Sequence, residues 1–207
     1  MDVMQRKFPR QQRARATVEA ILQAAAQLLT DLGFEALTTA RVAERAGVSV
    51  GSLYQYFPNK QALAAAMIDY YAEKLSAAFI EAVEMRPYGS LEETIGAMIE
   101  VAMVAHPHDP KLHLALNELA PRYRAEKVRE VGDRIAGIIE GQLARHRHEI
   151  APDLDLGEAA ALIETLLENV VHRAIERHPV SVRGERAIDQ CGRMIMAYLT
   201  STRRHAA

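Results

Sequence analysis

Apolar residues recur at steps of three and four along most of this chain, the period of a helix that buries one face. Val18, Ile21, Leu22, Ala25, Leu28, Leu29 and Leu32 trace the first such face, and Gly33 follows where glycine caps a helix in the left-handed region. The hydroxyls of Thr38 and Thr39, after Leu37, predict the cap of a short second helix over about 39–46, closed by Gly47. Ser49 caps a third over about 50–56. Pro58-Asn59 ends it and opens a fourth over about 60–85. Ser90 and Glu93 read as a capping box for a fifth helix reaching about residue 105. Asp109 and Pro110 start a sixth, to about residue 119. Pro121 is expected to open a seventh, with apolar Val128, Val131, Ile135, Ile138 and Leu143. Its last turn would carry Arg145, His146, Arg147 and His148, favourable against the helix dipole. Asp155 caps an eighth over about 156–177, Pro179 ends it, and a ninth covers about 183–202. No alternating strand pattern, repeat or low-complexity tract is present. The predicted fold class is all-α, with about nine helices.

Composition narrows the function classes. With 49% hydrophobic and 25% charged residues the chain reads as globular, not disordered. No apolar run approaches the roughly 18–20 residues that span a bilayer, so no membrane partner is expected. The start, MDVMQRKFPRQQRAR, lacks the apolar stretch of a secretory signal. Cys191 is the single cysteine, which excludes an internal disulfide and a C-x-x-C metal site; the expected compartment is a reducing cytoplasm. His106, His108, His113, His146, His148 and His172 match no zinc spacing, so no metal and no cofactor is predicted. There is no Gly-rich phosphate loop after a strand, no G-x-S-x-G and no H-E-x-x-H, so the chain does not read as an enzyme.

Charge adds a direction. The net value of −2 conceals a basic head: residues 1–60 carry eight basic and five acidic groups, and the remainder is net acidic. Five of the eight lie in the first fifteen residues (Arg6, Lys7, Arg10, Arg13, Arg15), an arm that could meet a phosphate backbone or a minor groove.

The stretch TTARVAERAGVSVGSLYQYFPNK, residues 38–60, joins two short helices through Gly47 in helix-turn-helix spacing. Ala43 and Leu53 would lock the helices together, Val42 and Val48 would pack beneath, and Phe57 would be core. The second of the two would enter a major groove of double-stranded DNA. Ser49, Val50, Gly51 and Ser52 are small enough for close approach, and Tyr54, Gln55 and Tyr56 offer donors and acceptors beyond them. Lys60 opens the next helix, where its charge and the free amides favour phosphate.

The run GVSVGSLYQYFPNKQAL, with Leu37-Thr38-Thr39, Val42-Ala43 and the amphipathic helix ending in Gly33-Phe34, resembles the DNA-binding signature of the TetR family of bacterial transcriptional regulators. The detailed match covers about residues 14–68. The resemblance implies a helix-turn-helix DNA-binding domain at 1–60 and a ligand-binding and dimerisation domain at 61–207. It implies that Thr39 meets a phosphate, that Ser49, Val50, Gly51, Ser52 and Tyr54 meet bases or adjoining backbone, and that Tyr56 and Lys60 clamp phosphates. In the repressor that gives the family its name an arginine follows the threonine, whereas Ala40 stands here. Ala40 cannot make a bidentate guanine contact; Arg41, one step on and about 100° round the helix, is the candidate DNA contact in its place. The operator is therefore not transferable.

In the body, the eighth helix is apolar over too wide an arc for a single contact. Ile163, Leu166 and Val170, with Ile195, Tyr198 and Leu199 of the ninth, are the expected seam of a homodimer. Soft or polar residues on apolar helices are the candidates for a small-molecule site: Met67, Tyr71, Met98, Met103, His113, Asn117, Tyr123, Glu168 and His172. The expected function is a repressor that leaves a palindromic operator when a small, mostly apolar inducer binds. The competing expectation is a helical small-molecule-binding or adaptor protein that does not use DNA; it leaves the 38–60 motif and the basic head unexplained.

Overall fold

The computed structural model describes the backbone of residues 7–84, 88–105, 110–177 and 182–201, and the side chains of 12–84, 88–102, 111–170 and 189–201. Among these residues lie nine α-helices: α1 (Lys7–Ala36), α2 (Thr39–Ala46), α3 (Val50–Tyr56), α4 (Lys60–Glu84), α5 (Leu91–Ala105), α6 (Pro110–Tyr123), α7 (Ala125–Arg145), α8 (Leu156–Arg177) and α9 (Val182–Thr200). A 3-10 turn, Arg147–Glu149, follows α7, and no strand occurs among the described residues. The chain divides into two compact units, Met1–Tyr71 with Lys111–Ala125 and Ala72–Pro110 with Glu126–Ala207.

The first unit thus reaches past residue 60 and takes in most of α6. Side chains explain the membership. The Tyr123 ring lies against Phe34 with centroids 5.7 Å apart, and the Arg124 guanidinium pairs with Asp69. The basic arm is not separate from the first helix: α1 starts at Lys7, and Arg13 and Arg15 are exposed along it. Arg6 and the side chains of Lys7 and Arg10 lie outside the described residues.

Ile21, Leu22, Ala25, Leu28 and Leu29 are buried as the period requires, but Leu32 is exposed. The packed face ends at Leu29, four residues before Gly33. That glycine has φ 76° and ψ 169°, not the left-handed cap expected. This mirror-image extended conformation is open only to glycine. Gly33→Ala should therefore cost about 1–2 kcal/mol through torsion alone, although an added Cβ meets nothing within 4 Å. Gly47 has φ 68° and ψ 29°, which asparagine tolerates, so Gly47→Asn should be far milder. Urea unfolding of the two variants measures the difference.

The second unit is built on Phe79 and Val83 of α4, Ile95 and Met98 of α5, Ile139 and Leu143 of α7, Ile163 and Leu167 of α8, and Cys191, Ile195 and Leu199 of α9. Two expectations for α7 are corrected. Pro121 lies inside α6 and does not open α7: near a helix end a proline deletes one amide bond, and Arg124 N–H still reaches Ala120 O at 2.8 Å. Along α7 the fully buried isoleucine is Ile139, while Ile138 is only partly buried.

His146, expected in the last turn of α7, lies past its end at Arg145 and is buried. Its Nε2 lies 3.0 Å from Thr94 Oγ1, and its Nδ1 3.1 Å from Glu149 Oε1. Glu149 in turn accepts the Leu91 N–H at the start of α5. Half of the expected capping box is present there: Ser90 Oγ accepts the Glu93 N–H, but Glu93 Oε2 reaches one residue further back and accepts the Gly89 N–H in place of that of Ser90. The Asp155 cap of α8 is present too, accepting the Glu158 N–H at 2.8 Å. Asp109 and Pro179 lie outside the described residues.

An ionic cluster joins α4 to α7 within this unit. Glu73 pairs with Arg134 through two nitrogens, at 2.9 and 3.2 Å, and also with Lys127. Hydrogen bonds from Arg134 and then Lys127 hold the Glu73 carboxyl down at about 2. A lowered folded value means that the stabilisation is complete above the ordinary value of 4.5 and is lost as pH falls through about 2. Glu73 is 46% exposed, so solvent screening limits the contribution to at most about 1 kcal/mol. Glu73→Gln should be slightly less stable than the parent at pH 7. That gap should close as pH falls from 4.5 towards about 2, and also in about 1 M salt. Denaturant midpoints across pH and salt check both.

Candidate nucleic-acid interface

The two helices of the motif owe their short lengths to local caps. Thr38 Oγ1 accepts the Arg41 N–H, and Ser49 Oγ accepts the Ser52 N–H at 3.0 Å. Gly47 turns the chain, its N–H bonding Glu44 O at 3.1 Å while Val48 N–H bonds Ala43 O at 3.0 Å. Val42, Ala43, Leu53 and Phe57 are buried and Val48 is half-buried, as expected for the packed side of the pair. Because Leu53 and Phe57 turn inward, α3 is left with an outer face of Val50, Tyr54, Gln55 and Tyr56, all exposed.

Several predicted contact residues are held by hydrogen bonds that the linear pattern does not reveal. Thr39 Oγ1 lies 3.1 Å from Tyr54 OH, tying the first turn of α2 to the outer face of α3. Ser49 and Ser52 hydroxyls are 2.8 Å apart. Arg41 turns back, its Nη1 donating to Ala36 O at 3.1 Å. Lys60, expected as a phosphate clamp, donates to Phe34 O at 2.7 Å and Glu35 O at 3.3 Å, with its ammonium 4.2 Å from the Phe34 ring centre. Three consecutive carbonyls at the end of α1 are thus satisfied by cations from α2 and α4. These carbonyls follow the non-helical Gly33, and the two cations reach them by charge-assisted hydrogen bonds.

The ligand candidates are distributed over both units. Met67, Tyr71, His113, Asn117 and Tyr123 belong to the first unit; Met98 and Glu168 belong to the second. His113 Nε2 and Asn117 Nδ2 are 2.9 Å apart along α6. Met67 and Met98 are fully buried, whereas Glu168 is exposed and, after burial itself, helps to raise the pKa of neighbouring Glu164. The Tyr123 hydroxyl is buried with no hydrogen-bond partner among the described residues. The side chains of Met103 and His172 lie outside the described residues.

The predicted dimer residues divide in a telling way. Ile163, Ile195 and Leu199 are at most 2% exposed, already buried in this chain's own core. They have no surface left for a partner, so they are removed from the candidate seam. Leu166 and Val170 pack partly on that core, and Tyr198 is exposed. Leu162, which the sequence reading missed, and Met194, one of the apolar residues expected along the ninth helix, are 53% and 61% exposed on the outer faces of α8 and α9. No helix among the described residues is long and apolar enough to cross a membrane.

Comparison with known proteins agrees with this architecture. The family model for bacterial regulatory proteins of the tetR family matches residues 21–67, and that for the tetracyclin repressor-like C-terminal domain matches residues 90–199. The class C tetracycline repressor of Escherichia coli is 49% identical over 51 residues, 25% of this chain and 23% of that protein. The nucleoid occlusion factor SlmA of Vibrio atlanticus is 29% identical over 126 residues, 60% of this chain and 63% of that protein. The chain therefore matches only about a quarter of the first of these relatives and somewhat under two thirds of the second. Among solved structures, a tetR-family regulator from Mesorhizobium loti superposes with a TM-score of 0.71 at 20% identity, covering 91% of this chain and 99% of that one. The fatty acid degradation regulator FadR from Bacillus halodurans gives 0.68 at 19% identity, covering 87% and 98%. The second family model alone spans more than half of the chain, and with the helix-turn-helix match preceding it, the chain belongs to the tetR family of bacterial regulatory proteins.

Proposed function

We propose that this protein is a cytoplasmic, DNA-binding transcriptional repressor that acts as a homodimer on a palindromic operator. The observation that carries the reading is the outer face of α3: a short helix, capped at Ser49 and locked through Leu53, presents Val50, Tyr54, Gln55 and Tyr56 to solvent. Such a face fits a major groove, with Thr39 and Tyr54 together on one phosphate and the exposed Arg13 and Arg15 adding sequence-independent attraction. The repressor sense is supported by the name of the Escherichia coli relative. Pairing is supported by the exposed apolar residues Leu162, Met194 and Tyr198 on adjacent helices. Two copies would then present their α3 helices about 34–36 Å apart, one turn of DNA.

A small, mostly apolar inducer would release the DNA by binding one of two conformations more tightly. Its leverage is limited to that difference in affinity, typically about 1–3 kcal/mol, and the effect is reciprocal. The test is selection of duplexes from a random library by the purified protein. Enrichment of a palindrome is the expected result; enrichment of nothing would remove the DNA reading. Once thermal-shift screening yields a ligand, calorimetry with and without that duplex should show weaker ligand binding when DNA is present. Equal affinities would remove the inducer mechanism.

A further inference from the structure

We infer that the first turn of α3 reads its operator by apolar contact, with Val50 packing on the 5-methyl group of a thymine in each half-site. The inference rests on the major-groove placement of α3 proposed above and specifies what that helix recognises there.

The polar side chains of this turn are occupied with one another. Ser49 Oγ accepts the Ser52 N–H at 3.0 Å and lies 2.8 Å from Ser52 Oγ. That mutual bond uses one of their two hydroxyl protons and fixes both oxygens beside the backbone. Gly51 adds no side chain, and a Cβ placed there would meet only Ser49 Oγ at 3.9 Å, so the space next to Val50 is open. What projects from the turn is the isopropyl group of Val50, 43% exposed. A β-branched apolar group gains nothing from water at a position that packs on no core.

In the major groove the thymine methyl is the apolar group that a base pair of unmodified DNA presents. Against cytosine N4, or the N7 and O6 or N6 edges of purines, the same isopropyl group would cover polar atoms and supply no hydrogen bond. That arrangement is unfavourable. The turn therefore discriminates twice, by contact with a methyl and by refusal of a bare polar edge. Gln55 works differently. Its amide is exposed, with no partner among the described residues, and suits a hydrogen-bonded base.

The test removes the methyl and nothing else. In the duplex enriched from a random library, each thymine is replaced in turn by deoxyuridine, and affinities are measured for the parent, Val50→Ala, Val50→Thr and Gln55→Ala. For the parent, one position per half-site should lose roughly fourfold, and both together roughly fifteenfold, the value of one buried methyl at each. Val50→Ala should bind the thymine duplex more weakly by a similar factor and no longer distinguish thymine from uracil there. Val50→Thr keeps the branched shape and should retain part of the preference, while Gln55→Ala should bind more weakly and keep it whole. Equal affinity of the parent for thymine and uracil at every position would overturn the methyl contact while leaving the DNA reading intact. Full retention of the preference by Val50→Ala would overturn the assignment to Val50. Failure to enrich any duplex would overturn the DNA reading and this inference with it.

Discussion

Leu162→Asp should give a folded protein that sediments as a monomer and binds operator about a hundredfold more weakly, whereas Leu199→Asp should give no folded protein. The two residues lie on helices that contact each other, yet their surroundings are opposite. Leu199 is fully buried in the core formed by α4, α5, α7, α8 and α9. A carboxylate there has no counter-ion, and an uncompensated buried charge costs several kcal/mol, comparable with the stability of a whole domain. Leu162 is more than half exposed. In a single copy an aspartate there meets water and costs little. In a seam between two copies the same charge would lose its water, and the dimer would lose the avidity of its second half-site. Met194→Asp should behave like Leu162→Asp, because Met194 occupies the corresponding exposed face of α9. Circular dichroism and sedimentation velocity separate the outcomes. A dimeric Leu162→Asp would place the seam elsewhere, and a folded Leu199→Asp would contradict the core assignment.

The second large effect is expected at Lys60. Lys60→Ala removes two hydrogen bonds from a charged donor to the Phe34 and Glu35 carbonyls, and an ammonium from above the Phe34 ring. It leaves the end of α1 without that satisfaction, and the combined cost should be about 2–4 kcal/mol. Affinity for all DNA sequences should fall alike because the frame that carries α3 loosens. The salt dependence of binding should change by less than one unit, since the ammonium is committed to carbonyls. A loss of one full unit of slope with unchanged thermal stability would return Lys60 to a phosphate.

These contrasts show where linear reasoning worked and where it stopped. Thr38, Ser49, Ser90 and Asp155 were legible as caps, because a cap is a bond to an amide three residues away. Asn59, given the same role, bonds Ala62 N–H at 2.7 Å. The bounds of α2 and α3 and the inward turn of Leu53 and Phe57 were legible for the same reason: every determinant lies within a few residues. Of the residues expected in a seam on α8 and α9, Ile163, Ile195 and Leu199 are buried in the chain's own core. A helical stripe announces that a face is covered, but says nothing of whether its own chain or a second copy covers it. Ile195 and Leu199 therefore looked the same as Met194 along the ninth helix, although only Met194 is exposed. Lys60 was read as a DNA ligand because the carbonyls that capture it lie 25 and 26 residues back along the chain. Ile139 was passed over for Ile138, since steps of three and of four from Ile135 both continue a stripe of 3.6-residue period.

The membership of α6 in the first unit bears on how members of this family could exchange parts. A chimera that joined residues 1–60 to a foreign effector-sensing body would break inside the first unit. It would strand Phe34 without Tyr123 and remove the Arg124–Asp69 pair. Three junctions are needed to transplant that unit whole, after Tyr71, before Lys111 and after Ala125. A single crossover would have to be repaired by compensating changes around Phe34. Lineages that acquired new inducers by shuffling should therefore have changed residues 111–125 together with the start of the chain, while those that kept the native segment could vary the rest one substitution at a time.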